Sequence, residues 1–319
     1  MRDDPLPRIV VVGSVNMDIA AYVSRFPKPG ETLSGTGTLV APGGKGGNQA
    51  IAAARLGARV ALIACVGNDD FGQRLRVSLE SEGIDCAGVV TSERSASGIA
   101  MVMVDDTGNN SIVTVEGSNG DLTPDVVAAH EEALRSAALV LCELTTPMTT
   151  VERVLSIASS GDVPVLLNAS PVQGPMSACA LSRVAFLVVN EVEASMLSGQ
   201  KLQTIDDAKM IANILHRAGA KHVLITLGAR GVVTLFSGES VAVTEFFPAS
   251  SVEALDTTGA GDTFAGAFAA AVVSGAEKTE AVTFAQQAAA ICVTRAGAAP
   301  SIPRLHELRE RLPHGRGRA

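Results

Sequence analysis

The sequence predicts an α/β fold on a mainly parallel sheet, and three observations carry that prediction. Short, wholly apolar segments alternate with helix-patterned segments along most of the chain, as in parallel sheets covered on both faces. Glycine-rich turns at residues 42–48 and 256–264 lead directly into helical runs. The 319 residues are 47% hydrophobic and 18% charged, enough apolar material for a large core without disulfides.

The elements follow in order. Ile9-Val10-Val11-Val12 forms a strand that ends at Gly13. Residues 18–40 carry Pro27, Pro29, Gly30, Gly35 and Gly37 and show no helical pattern. Residues 48–56 are Ala-rich and helical, closed by Gly57. Residues 60–66 return to strand, and residues 72–82 form an amphipathic helix with Leu75 and Leu79 on one face. Residues 97–115 read as a β-hairpin, with an apolar run over 99–104, a turn at Asp105-Asp106-Thr107-Gly108 and a strand over 111–115. Thr123-Pro124-Asp125 opens a helix, Thr as cap and Pro in the first helical position. Apolar strands at 139–142, 163–167, 186–189 and 223–226 continue the alternation, and 265–273 is a helical run. The tail from Arg309 to Ala319 is expected to be frayed. The two segments that break the rhythm, about 18–40 and 97–115, are expected to form a small β-sheet lid inserted in a single domain over 1–319.

Several function classes are disfavoured. With 33 acidic and 25 basic residues the formal charge is -8, so no nucleic-acid partner is expected. No run of about 18 uncharged apolar residues appears, so no membrane span is expected. The start, Met1-Arg2-Asp3-Asp4-Pro5, has no signal-peptide pattern. Cys65, Cys86, Cys142, Cys179 and Cys292 are odd in number and never form Cys-x-x-Cys; a reducing cytoplasm is the expected location. His130, His216, His222, His306 and His314 lack zinc-ligand spacing and read as surface or packing residues. The first strand ends Gly13-Ser14-Val15-Asn16, not in a Gly-x-Gly-x-x-Gly dinucleotide fingerprint. No Gly-x-Ser-x-Gly hydrolase elbow occurs.

Two glycine loops carry the chemistry. Pro42-Gly43-Gly44-Lys45-Gly46-Gly47-Asn48 precedes a helix, so its backbone can approach a ligand closely while Lys45 and Asn48 add directional donors. It is not a Walker A loop, because Gly46 follows the Lys. Asp256-Thr257-Thr258-Gly259-Ala260-Gly261-Asp262 opens the second helix. Free N–H groups at Gly259, Ala260 and Gly261 suit negative charge developing on a phosphoryl group. Asp262 in the same turn either accepts a proton from an attacking hydroxyl or caps the helix. Asn16 and Asp18, two apart, point the same way in an extended chain and suit sugar hydroxyls; an Asx-type turn is the other reading. Asn190 and Glu193, three apart, either hold water around Mg²⁺ or form a capping box. Thr226-Leu227-Gly228-Ala229-Arg230-Gly231 is a turn between two strands, bordering a nucleotide or simply reversing the chain.

Taken together these motifs resemble one family, the ribokinase-like (PfkB) carbohydrate kinases. The resemblance runs from about Arg8 to Pro303, and includes Phe26-Pro27-x-Pro29-Gly30-Glu31-Thr32 and the closing Val293-Thr294-Arg295-x-Gly297-Ala298. Within the family, Gly13-Ser14-x-Asn16-x-Asp18 and Gly43-Gly44-Lys45-Gly46-x-Asn48-Gln49 are most similar to the ribokinase branch. The resemblance implies a ribokinase-like three-layer α/β/α core with a small β-sheet lid. It also implies ATP-dependent transfer of the γ-phosphate to the primary hydroxyl of D-ribose or a related furanose. Asp262 matches the general base, and Gly259, Ala260 and Gly261 the anion hole. Asn16, Asp18, Gly44, Lys45 and Asn48 match sugar-binding positions. Asn190, Thr226, Gly228, Gly231 and Gly261 fall to the nucleotide and its phosphates, and Glu193 to Mg²⁺. A monovalent cation, K⁺, is implied, with ligands from Asp256, Thr258, Cys292, Arg295, Gly297 and Ser301, mostly through carbonyls. A homodimer joined through the lid is implied as well.

One departure from the family concerns the sugar. Where ribokinases carry Leu-Glu-x-Pro, this chain reads Cys142-Glu143-Leu144-Thr145-Thr146-Pro147, so Thr145 takes the Glu position. On an extended strand Glu143 shares a face with Thr145 but sits about 6–7 Å back. Other substrates therefore stay open, including deoxyribose, fructose-type sugars and nucleosides of the pseudouridine type. A non-catalytic sugar- or nucleotide-binding regulator is the alternative of a different class, which the intact Asp262 loop argues against.

Overall fold

The computed structural model describes residues 8–107, 109–238 and 241–311. Its strands, in chain order, are β1 (Arg8–Val12), β2 (Asn16–Val23), β3 (Gly37–Gly43), β4 (Arg59–Gly67), β5 (Asp85–Ser92), β6 (Gly98–Asp105), β7 (Asn110–Val115), β8 (Leu139–Glu143), β9 (Val165–Asn168), β10 (Phe186–Asn190), β11 (His222–Thr226), β12 (Gly231–Ser237) and β13 (Ala242–Pro248). Nine of them form one sheet in the order β13-β12-β11-β10-β9-β8-β1-β4-β5. Every pairing from β5 across to β11 is parallel, and β12 and β13 complete the edge in antiparallel fashion.

The alternation seen in the sequence is the cause of this architecture. Strands β1, β8 and β9 are buried along almost their whole length, which requires helices on both faces. Helices Lys45–Arg55, Asp70–Ser81, Ala260–Val273 and Lys278–Cys292 supply one apolar layer, with Leu62, Leu141, Phe264 and Phe268 at its centre. Helices Met148–Ser160 and Ile205–Arg217 supply the other, with Val154, Leu155, Ile211 and Leu215. The result is three layers, α/β/α.

The remaining four strands form the predicted small sheet, in the order β3-β2-β6-β7. The 97–115 segment is an antiparallel hairpin of β6 and β7, although Gly108 in its turn lies outside the described residues. β2 pairs antiparallel with β3 and parallel with β6. The boundaries differ from expectation, because the sheet begins at Asn16 and β3 runs on to Gly43. Asn16 and Asp18 are therefore in a strand of the small sheet, not in an Asx turn closing β1. The chain crosses between the sheets four times, and each crossing holds a glycine: Gly13, Gly44, Gly98 and Gly117. Gly44 and Gly117 have φ of 85 and 52, a region L-residues enter at a cost. The tail expected to fray from Arg309 is helical to Arg311 in helix Leu305–Arg311, and 312–319 lie outside the described residues.

Candidate active site

Helices Lys45–Arg55 and Ala260–Val273 lie side by side, and their N-termini meet. Close approach is possible because Gly266 faces the first helix. A Cβ there would lie 2.5 Å from the Gln49 carbonyl oxygen and 2.6 Å from the Ala52 Cβ. Gly259, in the left-handed region with φ 77, ends the incoming loop and starts the second helix with no side-chain cap. Contrary to the expectation from sequence, that first turn is not wholly free: Ala260 N donates to the Thr257 carbonyl at 3.3 Å, a bond long enough to be exchanged for a ligand. Asp262 does not cap the helix. It is buried, 7% exposed, and accepts hydrogen bonds from Asn48 Nδ2 at 3.0 Å and Gln49 Nε2 at 2.8 Å. The two glycine loops, 214 residues apart at this contact, thus converge on one carboxylate.

Asp18 lies beside this pair. Burial raises its carboxyl, and the Asp262 charge raises it further, to about 7. Its carboxylate covers Gly43, where a Cβ would come within 2.1 Å of Oδ2. Asn16 is held from the side: its Oδ1 accepts from Asn119 Nδ2 at 2.7 Å, while Asn119 Oδ1 accepts from Val15 N at 2.9 Å. With the Asn16 carbonyl occupied, its NH₂ is the group left to donate. Gly44 closes the same corner, since a Cβ on it would meet Asn16 N at 2.7 Å.

The Glu143 and Thr145 pair differs from the extended arrangement. β8 stops at Glu143, and the chain bends so that Thr145 folds back onto the Glu143 carboxylate. Glu143 Oε2 accepts from Thr145 N and Oγ1, each at 2.5 Å, and Oε1 accepts from Ser14 N at 2.6 Å. Thr145 Oγ1 also meets Ser14 Oγ at 2.6 Å. Glu143 is fully buried, and burial pushes its carboxyl above the ordinary range against these hydrogen bonds and the nearby Lys45 charge. The carboxylate is thus beneath Ser14 and the first glycine loop, and Thr145 covers it.

The candidate nucleotide residues occupy the same, carboxyl edge of the main sheet. Asn190 and Thr226 end β10 and β11 and stand in register. From β11 to β1 is four strand spacings, roughly 19 Å, so a ligand along this edge reaches from Thr226 to Ser14. Asn190 and Glu193 do form a reciprocal capping box, with Glu193 Oε2 accepting from Asn190 N at 2.8 Å. Gly228 and Gly231 shape the following turn with φ of 54 and 128, and a Cβ on Gly231 would strike the Phe247 carbonyl at 2.1 Å.

The candidate cation residues also converge. Asp256 accepts from Thr258 N at 2.9 Å and from Gly297 N at 2.8 Å, tying two loops together. These hydrogen bonds lower its carboxyl although burial opposes them. Cys292 Sγ lies 2.9 Å from Ser301 Oγ and donates to the Thr258 carbonyl at 3.8 Å. Arg295 N donates to the Cys292 carbonyl, and its guanidinium pairs with Glu307. Both Asp256 oxygens and the Thr258 and Cys292 carbonyls each already accept one hydrogen bond, and oxygen atoms are the donors a hard cation requires. Among the described residues no cluster of three or more His, Cys, Asp or Glu is arranged to hold a metal ion.

Two buried side chains escaped sequence reasoning. Gln49 stands inside a noticed motif, but only the packing of two helices shows that it reaches Asp262. Asn119 has no sequence signal: it is a lone amide in a short turn, 2% exposed, brought to Asn16 by the small sheet.

A buried carboxylate between two helix-opening glycine turns, on the carboxyl edge of a parallel sheet, defines a phosphotransferase with an alcohol acceptor. Residues 6–305 match the pfkB family of carbohydrate kinases. A ribokinase of Haemophilus influenzae is 40% identical over 96% of this chain and 98% of its own length. A deoxyribokinase of Salmonella typhi is 33% identical over 95% and 98%. The structure of Arabidopsis thaliana ribokinase complexed with ribose and ATP superposes with a TM-score of 0.88 at 32% identity, covering 96% of this chain and 98% of that one. The chain belongs to the pfkB family of carbohydrate kinases. No helix among the described residues is long and apolar enough to cross a membrane.

Proposed function

We propose that this kinase transfers the γ-phosphate of ATP to the primary hydroxyl of D-ribose or a closely related furanose. The observation that carries the reading is Asp262, a buried carboxylate at the start of a helix, gripped by two amides of the opposite glycine loop. Asp262 accepts the hydroxyl proton, and the N–H groups of Gly259, Ala260 and Gly261 stabilise charge on the moving phosphoryl group. Asn16, Asp18, Gly44, Lys45 and Asn48 hold the sugar, with Thr145 and, beneath it, Glu143 at its far side. Asn190, Thr226, Gly228 and Gly231 hold the nucleotide. Glu193 orients water around Mg²⁺, which offsets phosphate charge when bound. The oxygens near Asp256, Thr258, Cys292, Arg295, Gly297 and Ser301 hold K⁺, which fixes the anion-hole loop. Support for ATP and ribose comes from the Arabidopsis relative, whose structure contains both.

The small sheet acts as a lid on a single kinase domain. Met101, Ile112, Val113 and Val115 are exposed on it, and a homodimer through this sheet would cover them. The cytoplasm is the compartment that supplies ATP and keeps the cysteines free.

The test is ADP release with MgATP and K⁺ on D-ribose, 2-deoxyribose, fructose and a nucleoside panel. Potassium-dependent turnover highest on ribose is expected. Turnover on another sugar alone would move the specificity to the Glu143 and Thr145 departure, and silence on all of them would refute the reading. Asp262→Asn is expected to lower kcat on the order of 10²- to 10⁴-fold while ATP binding persists.

A further inference from the structure

We propose that Gln49 is a positioning residue for Asp262, holding Oδ1 so that Oδ2 alone takes the substrate proton; this rests on the reading of Asp262 as general base. Helix Lys45–Arg55 turns Gln49 fully inward, 0% exposed. Its Nε2 donates to Asp262 Oδ1 at 2.8 Å, and its Oε1 accepts no hydrogen bond from any described residue. A buried amide with an idle carbonyl is less stable there than an apolar side chain of similar size. The bond to Asp262 is what accounts for an amide at this position.

Asn48 has a different part. Its Nδ2 donates to Asp262 Oδ2 at 3.0 Å, and it is the amide that turns to the sugar when one binds. Gln49 lies one residue deeper, with its backbone carbonyl wedged against Gly266, and has no alternative acceptor to turn to. When the sugar arrives, Oδ2 exchanges Asn48 for the substrate hydroxyl while Oδ1 stays on Gln49. In the transfer the sugar oxygen bonds to the γ-phosphorus as the bond to the ADP oxygen breaks. The hydroxyl proton passes to Oδ2. A carboxylate free to rotate would spend much of its time with neither oxygen aligned for that transfer.

Gln49→Met and Gln49→Leu separate this role from a packing role. Both replace the amide by an apolar side chain of similar size, so neither can donate to Asp262. Each purified variant is assayed for kcat and for KM of ATP and of the best sugar in the panel, with thermal unfolding alongside and Asp262→Asn as reference. The expected result is a kcat loss on the order of 10- to 100-fold in both variants. Both KM values stay near wild type, and Gln49→Met melts at or above the wild-type temperature. Wild-type kcat in either variant, or a loss carried wholly by the sugar KM, overturns the proposal. If Gln49→Met fails to fold, Gln49→Leu alone decides. An active Asp262→Asn would instead overturn the general-base reading, whereas an inactive one beside fully active Gln49 variants would overturn only the role of Gln49.

Discussion

Gly266→Ala separates two opposed effects of adding one methyl group. In an unobstructed helix interior, Ala is favoured over Gly by about 1 kcal/mol, so the substitution would stabilise the protein. Here the new Cβ would lie 2.5 Å from the Gln49 carbonyl oxygen, 2.6 Å from the Ala52 Cβ and 3.0 Å from Ala53 N. Two carbons meet comfortably at about 3.5 Å, so the helices must separate by about 1 Å, and the atoms in the way are backbone and a short side chain. Overpacking of this kind costs about 1–3 kcal/mol. After the propensity gain, a net loss of about 0–2 kcal/mol remains, a fall in melting temperature of at most roughly 8 °C. The same displacement stretches the 2.8 Å bond between Gln49 and Asp262 beyond hydrogen-bonding reach. A 1 Å misplacement of a catalytic group costs about 100-fold in rate. Differential scanning fluorimetry and steady-state ADP release measure the two effects on one preparation. A variant that melts higher than wild type and turns over at the wild-type rate would refute the reasoning.

Two further outcomes follow from the sugar corner. The Asp18 carboxyl is raised from 3.8 to about 7 by burial and by Asp262, so its contribution to stability is present below about pH 4 and is lost as pH rises through about 7. Melting curves of wild type and Asp18→Asn across pH 4–8 are expected to converge in slope only above about pH 7, and parallel curves throughout would contradict the burial of that charge. Asn119→Ala removes the hydrogen bond that fixes the Asn16 amide and is expected to raise the sugar KM about 5- to 10-fold, equivalent to about 1 kcal/mol, with the ATP KM unchanged. Equal changes in both constants would show that Asn119 supports the fold generally and does not orient Asn16.

Much of this architecture is legible in the sequence because the physics is local. The strands at 9–12, 139–142, 186–189 and 223–226 are visible as apolar runs, since a sheet covered on both faces admits little else. The helix starts at Gly44 and Gly259 are visible as glycine turns, since only such turns bring a backbone that close to a ligand. What could not be read depends on packing between distant segments. Gln49 and Asn48 look alike in the chain, and their division of labour appears only when helix Ala260–Val273 is laid beside them. Asn119 gains its meaning from Asn16, to which the small sheet brings it. The bend after Glu143, which converts an expected extended pair into a carboxylate covered by Thr145, is held by Ser14 in the crossing between β1 and β2.

The placement of Asn16 and Asp18 at the start of β2 has a mechanical consequence. These residues lie where the small sheet joins the main one, beside Gly13 and Gly44, so a sugar held by them, as proposed, would bridge the two sheets. Its affinity would then contain the entropy of whatever motion of the small sheet that bridging stills. A substitution that stiffens a crossing, far from any hydroxyl, would tighten or weaken sugar binding according to the angle at which it freezes the lid.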